Sequence, residues 1–316
     1  MTKSHLSYIL KAMCFIKIFA KSGYPGNQGN KKQRCTGHNT AKTVLVCITP
    51  LMALLLVTVC TRPQSSVIRE ETTVQAAVDQ NNKTDYNDRL QAVLRSAEIP
   101  QNMAAVILNS ESAFLPDLSV VLESSDPYLR LLVDKQDPLV PQNYIPSDLV
   151  ELTDEGAFLI GRTGLLLRYP AAVALEEMAE AAQEKGINLV ASSTYRSYDY
   201  QIEVYNRNVR QSGQAVADRE SARPGYSQHQ LGLVVDFGSI SDDYAKTPAG
   251  RWLAENAGHY GWSLSFPDGY EDITGYRWEC WHYRYVGKKL ARFIDIWFGG
   301  IQQYALRFIH EWELFD

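Results

Sequence analysis

The stretch Gly225–Phe237, GYSQHQLGLVVDF, decides how the chain reads. Leu233-Val234-Val235 is an apolar run with the character of a buried strand, and it carries Asp236 into the same interior. A buried carboxylate without a partner is costly and tends to take up a proton, so Asp236 needs something opposite it. His229 lies seven residues earlier, and a second histidine, His282, stands in Glu279-Cys280-Trp281-His282. Two imidazoles and one carboxylate give three ligands to zinc and leave a fourth position open for water, as in catalytic rather than structural sites. Glu279 is then the natural general base. On spacing alone a metal site and a plain salt bridge at Asp236 stand level.

Working outward, Pro170 opens PAAVALEEMAEAAQEKG, in which Ala171, Leu175, Met178 and Ala182 share one face and Gly186 ends the helix. INLVAS (187–192) reads as a short strand. SYDYQIEVYNRNVRQSG predicts a second helix with Ser197 as its cap, Ile202, Tyr205 and Val209 inward, and Gly213 as its stop. LGLVVDF is a strand and TPAGRWLAENAGHYG a third helix, with His259 structural at its end. ITGYRWECWHYRYVG predicts an aromatic-rich strand, Tyr276 and Trp278 on one side and Arg277 and Glu279 on the other. In a regular strand residues 279 and 282 face opposite ways, so a kink near Cys280 is expected if both serve one site. Helices first, then strands with helices interspersed, indicate an α+β fold.

Charge and hydropathy divide the chain. Residues 1–42 hold eight of its 31 Lys and Arg and none of its 36 Asp and Glu, and residues 43–60 carry no charge. As a helix that run would rise about 27 Å, enough for a hydrocarbon core, with its basic side in the cytoplasm. A basic cytoplasmic segment (1–42) and a transmembrane or signal-anchor segment (43–60) are therefore expected, with the rest outside the membrane. Residues 61–83 follow as a polar linker, 84–127 as an accessory segment without a motif, and 128–316 as the main domain. The acidic balance beyond residue 60 argues against nucleic-acid binding. Cys280 is the only cysteine after that point, so an internal disulfide is excluded there.

SQHQLGLVVD resembles the S-x-H-x-x-G-x-A-x-D signature, and ECWH the E-x-W-H signature, of the LAS metallopeptidases (lysostaphin, D-Ala-D-Ala carboxypeptidase, sonic hedgehog). The likeness is closest to the VanY-type D-alanyl-D-alanine carboxypeptidases. ARPGYSQHQLGLVVDF, STYRSYDYQ, ITGYRWECWHYRYVG and LVDKQDPLVPQNYIPSDLVEL match the family's blocks in order, over about residues 129–308. The resemblance implies a small, mainly antiparallel sheet flanked by helices. It implies one zinc ion on His229, Asp236 and His282, with Glu279 as catalytic base and Arg196 stabilising the oxyanion or holding the substrate carboxylate. Gln201, Ser227 and Tyr276 occupy positions where the family places substrate contacts.

Three departures stand out. Val234 replaces the usual Ala, Cys280 the usual Pro, and Ser265-Phe266-Pro267 the usual Arg-Tyr-Pro. A thiol at 280 could in principle reach the metal, although a small buried residue pointing away is the simpler expectation. The function implied is a membrane-anchored, extracytoplasmic, monomeric D,D-carboxypeptidase acting on peptidoglycan stem peptides. The rivals are an L,D-carboxypeptidase, a non-catalytic wall-peptide-binding module, and a two-His-one-carboxylate iron site.

Overall fold

A computed structural model describes residues 86–315 of the 316-residue chain. The expected basic segment, the expected membrane segment at 43–60 and the expected linker lie outside the described residues. Among the described residues no single helix is long and apolar enough to cross a membrane.

The core is a mixed sheet with helices around it. Strands β1 (Leu149–Glu151) and β3 (Leu166–Arg168) form a small antiparallel pair. The main sheet contains β2 (Leu159–Ile160), β4 (Val190–Ser193), β5 (Val234–Phe237), β6 (Trp262–Leu264) and β7 (His282–Tyr285), in the order β2-β4-β5-β7-β6. Only the β2–β4 pairing is parallel. The α+β expectation with a mainly antiparallel sheet therefore describes this architecture. β5 is central and buried along its whole length, which is why its sequence is apolar on both faces. Its register sets Asp236 directly across from His282 on β7 and beside Ser193 on β4.

Ten helices accompany the sheets among the described residues. After a helix over residues 86–96 (α1) come α2 (Gln101–Asn109) and α3 (Glu111–Leu122). α4 (Tyr169–Gln183) buries the four predicted residues together with Ala174 and Ala179. α5 (Tyr198–Ser212) is capped by Ser197, whose Oγ accepts from the Tyr200 amide at 3.1 Å, and it ends at Gly213. α6 is Gln214–Glu220, and α7 (Pro248–Asn256) is capped by the Thr247 hydroxyl. Beyond the sheet residues lie a one-turn helix, α8 (Glu271–Thr274), and two long helices, α9 (Lys288–Phe298) and α10 (Gln302–Leu314).

Two local expectations are corrected. The inward face of α5 is Gln201 and Val204, while Ile202 is exposed. Apolar periodicity misplaced that face because Gln201 is buried by hydrogen bonds rather than by hydrophobicity. The long aromatic strand is also not one element. α8 closes at Gly275 (φ 78°), and residues 275–281 run as loop and turn before β7 begins at His282. The Glu279 amide donates to the Phe266 carbonyl (3.0 Å), and the His282 amide closes back on the Glu279 carbonyl (3.1 Å). The break expected near Cys280 is thus a tight turn ahead of the strand, which brings Glu279 and His282 to one side.

The start of β5 shows why one glycine is needed. Gln228–Leu231 make a 3-10 turn that ends at Gly232 with φ +66°. A Cβ there would lie 2.9 Å from Arg168 Cγ and Leu149 Cδ2. Only glycine takes that conformation and that approach without strain.

Apolar burial falls into two clusters. One lies between the sheet and α4, with Leu167, Leu175, Met178, Val235, Phe237 and Trp262 among its members. The other joins the accessory segment to the C-terminal helices. At its centre Phe114 on α3 is fully buried, with ring contacts to Phe293, Trp297, Phe298 and Phe308 at 5.2–6.4 Å between centroids. Phe114→Ala empties this position and is expected to cost about 3–5 kcal/mol of unfolding free energy in urea titrations. A change below about 1 kcal/mol would show that the accessory segment contributes nothing to the fold.

Candidate metal centre

Three elements deliver the predicted ligands: the 3-10 turn for His229, the end of β5 for Asp236, and the first residue of β7 for His282. Asp236 sits between the two imidazoles, Oδ2 at 3.2 Å from His229 Nε2 and Oδ1 at 3.1 Å from His282 Nδ1. All three are buried, and their ligand atoms lie within 4.8 Å of one another. The rings meet edge to face, 4.9 Å between centroids.

The surroundings select the nitrogen that each ring presents. His229 Nδ1 lies 2.7 Å from the Thr194 carbonyl, which can only accept, so that nitrogen carries the proton and Nε2 keeps its lone pair. Burial, then the Arg196 charge, push His229 down to about 4, so the ring stays neutral as a ligand must. Burial opposes ionisation of Asp236, but the imidazoles facing it outweigh that and hold its carboxyl below the usual carboxylate range. His229 Nε2 and Asp236 Oδ1 find no hydrogen-bond partner among the described residues. Buried polar atoms are rarely left so. Two imidazoles and a carboxylate, with unsatisfied atoms on His229 and Asp236, fit a zinc ion.

Glu279 and Arg196 border the cluster. Glu279 is buried, with Oε2 3.5 Å from His282 Nδ1. Burial and then the nearby Asp236 charge push its carboxyl up to about 8. A dication on the three ligands would act against both influences and favour the carboxylate. Arg196 follows β4, with its amide bonded to the His229 carbonyl (3.3 Å) and Nη2 3.5 Å from Asp236 Oδ2. Its side chain keeps 16% exposure, which leaves the guanidinium at the edge of the site. Burial pulls its pKa down, and Asp236 and Glu279 counter that.

Of the remaining predicted positions, Gln201 is fully buried, accepting from Arg196 Nη1 (3.1 Å) and donating to the Ala222 carbonyl (2.7 Å). It therefore orients Arg196. Tyr276 is buried against Phe266, which packs in turn on His282, each pair 4.6 Å between ring centroids. Lys135 Nζ lies 4.3 Å from the Tyr276 ring centre, and the Tyr276 hydroxyl has no partner among the described residues. Ser227 is buried where the 3-10 turn begins. Exposed in its own turn, His259 takes no part.

Cys280 turns away from the cluster. Its Sγ lies 3.6 Å from the Ser241 carbonyl and 3.8 Å from that of Asp242, and it lines a separate cavity of about 190 Å³ with Leu264, Trp278 and Tyr283. Burial raises its pKa, which keeps it a thiol. Ser265 and Phe266, which depart from the family pattern, face inward: Ser265 donates to Gln228, and the Phe266 carbonyl holds the Glu279 turn. Gln228 and the Thr194 carbonyl went unmarked in the sequence. The one available signal was the position of Gln228 directly before His229.

Fold and site together define a mixed α+β domain with a buried two-histidine, one-aspartate cluster beside a glutamate. The VanY model, described as D-alanyl-D-alanine carboxypeptidase, matches residues 164–288. The candidate carboxypeptidase YodJ of Bacillus subtilis (strain 168) is 41% identical over 170 residues, 52% of this chain and 62% of its own length. A D-alanyl-D-alanine carboxypeptidase of Enterococcus faecium is 33% identical over 163 residues, 50% of each chain. The solved structure of the LD-carboxypeptidase LdcB is 35% identical, with a TM-score of 0.49, covering 56% of this chain and 89% of that one. The VanY match over residues 164–288 and the relatives named D-alanyl-D-alanine carboxypeptidase support the VanY-type LAS family for this domain. It spans less than two thirds of the length of the curated relatives named here.

In the metal-free fold Glu279 holds its proton up to about pH 8, whereas the unfolded chain releases it near 4.5, the ordinary value of a glutamate. The folded state binds more protons between those limits, so stability falls as pH rises through that window. Glu279→Gln removes the loss. The melting temperature of the metal-free variant should exceed that of the parent by a margin that widens from about pH 5 to about pH 8. A constant margin in thermal unfolding would contradict the burial argument.

Proposed function

We propose that this protein is a zinc-dependent D-alanyl-D-alanine carboxypeptidase that removes the terminal D-Ala from peptidoglycan stem peptides. One observation carries the reading: His229, Asp236 and His282 converge on a single buried cluster with Glu279 and Arg196 on its border. The names of the relatives, D-alanyl-D-alanine carboxypeptidases among them, support the substrate class. A non-catalytic binding module would have no need of a buried glutamate beside the ligands.

His229 Nε2, Asp236 and His282 Nδ1 would hold the zinc ion, which when bound would supply Lewis acidity at the scissile bond. Glu279 takes the proton of the attacking water and returns it to the leaving amine. Arg196 stays charged and, aimed by Gln201, stabilises the oxyanion or grips the terminal carboxylate with two hydrogen bonds. The unpartnered hydroxyl of Tyr276 and the hydroxyl of Ser227 serve as substrate contacts. One ion per chain suffices, and the monomer is the working unit. In this reading residues 43–60 anchor the protein and the domain works outside the membrane, where its substrate lies.

The test incubates the zinc-loaded chain with a pentapeptide stem ending in D-Ala-D-Ala and with the tetrapeptide ending in one D-Ala, products being read by mass spectrometry. Loss of one alanine from the pentapeptide is expected, abolished by a chelator and slowed about 100- to 10,000-fold by Glu279→Ala. Cleavage of the tetrapeptide alone would make the protein an L,D-carboxypeptidase. Zinc-loaded protein that cleaves neither would overturn the enzyme reading.

A further inference from the structure

Gln228, which the sequence reading passed over, is nearly fully buried, and its carboxamide meets three groups. Its Nε2 lies 3.5 Å from the Val133 carbonyl, its Oε1 2.8 Å from Ser265 Oγ, and the same Oε1 3.3 Å from His282 Nε2. The Val133 carbonyl can only accept, so the amide nitrogen must face it, and the oxygen must face Ser265 and His282. An oxygen there can only accept. His282 must then carry its proton on Nε2, which leaves the Nδ1 lone pair turned toward Asp236 Oδ1 at 3.1 Å.

That choice matters because the other tautomer is locally attractive. With its proton on Nδ1, His282 would donate to Asp236 Oδ1 at the same 3.1 Å and satisfy the carboxylate. Ring and carboxylate would then be spent on each other rather than on a metal. We propose that Gln228 is a positioning residue that holds His282 in the metal-binding tautomer, with Ser265 fixing the carboxamide. The inference rests on the zinc reading above.

The bracing extends further. Ser265 Oγ donates to Gln228 Oε1 at 2.8 Å, while its backbone amide donates to the His282 carbonyl at 3.2 Å, so this one residue touches both partners. Ser265 Oγ also lies 3.4 Å from Gln302 Oε1, and Gln302 Nε2 donates to the Ser263 carbonyl at 3.3 Å. Gln302 opens α10, beyond the residues matched by the family model. The C-terminal helix thereby backs the residue that holds a metal ligand. The substitution of Ser265 for the arginine of the family pattern acquires a role here, since a small hydroxyl fits between two buried carboxamides.

The experiment measures zinc affinity of the purified chain by competition against a chelator of known strength, with no dependence on catalysis. Gln228→Met, close in size but without the acceptor, is expected to weaken zinc binding about 10- to 100-fold. Gln228→Glu keeps an acceptor at the same place and is expected to retain affinity within about threefold of the parent or to tighten it. The deciding arm is a double-variant cycle: in a His282→Ala background, Gln228→Met should change zinc affinity by less than about twofold, because its effect passes through His282. An equal loss in both backgrounds would assign Gln228 a general structural role and overturn the proposal. Parental affinity in Gln228→Met would do the same, and should that variant not fold, loss of zinc in well-folded Gln228→Glu decides against it. Parent protein that binds no zinc at all would instead fail the functional reading itself.

Discussion

A carboxylate held between two imidazoles in the centre of the sheet is the constraint on which the rest of this structure depends. Asp236 lies on the most buried strand, and the register of β5 against β7 puts it opposite His282. Burial of that charge is unfavourable unless positive charge or hydrogen-bond donors offset it. The two imidazoles and Arg196 are the groups within 3.5 Å, and one imidazole has already given its donor nitrogen to a backbone carbonyl. A dication would complete the balance. The Gly232 turn aims His229, the turn before β7 aims Glu279, and the Gln201 bond aims Arg196. Each serves this one buried charge.

Much of this was legible in the sequence, for reasons that can be named. The Leu-Val-Val-Asp run marks a buried strand that ends in a charge, and α4 shows its face through regularly spaced Ala, Leu and Met. Capping by Ser197 and termination at Gly213 follow from local chemistry and hold in the structure. Legibility ended where burial is polar. Gln201 lies inward on α5 because it bonds Arg196 and Ala222, and no apolar period records that. The alternation of Tyr276 to Glu279 resembled a strand, but Gly275 and the 279–282 turn determine the path. Gln228 escaped notice because a carboxamide is informative only once its three neighbours, distant in sequence, are in place.

The two apolar clusters divide the work. The sheet and α4 hold the strands that carry Asp236 and His282, while α1–α3 pack on α9 and α10 around Phe114. Ser265 and Gln302 connect the second assembly to His282 through polar contacts. Arg284, two residues beyond His282 and fully buried, donates to the Tyr128, Leu129 and Leu131 carbonyls and so pins the loop that supplies Val133. Segments outside the 164–288 match thus reach the centre through its supporting shell rather than by giving ligands.

The most direct test of the central claim is X-ray absorption at the zinc edge on the purified chain loaded with one equivalent of zinc. The geometry predicts a shell of nitrogen and oxygen alone at about 2.0–2.2 Å, with an imidazole signature from two histidines. A sulfur scatterer near about 2.3 Å would place Cys280 on the metal, and the absence of bound zinc would leave Asp236 without the partner its burial demands.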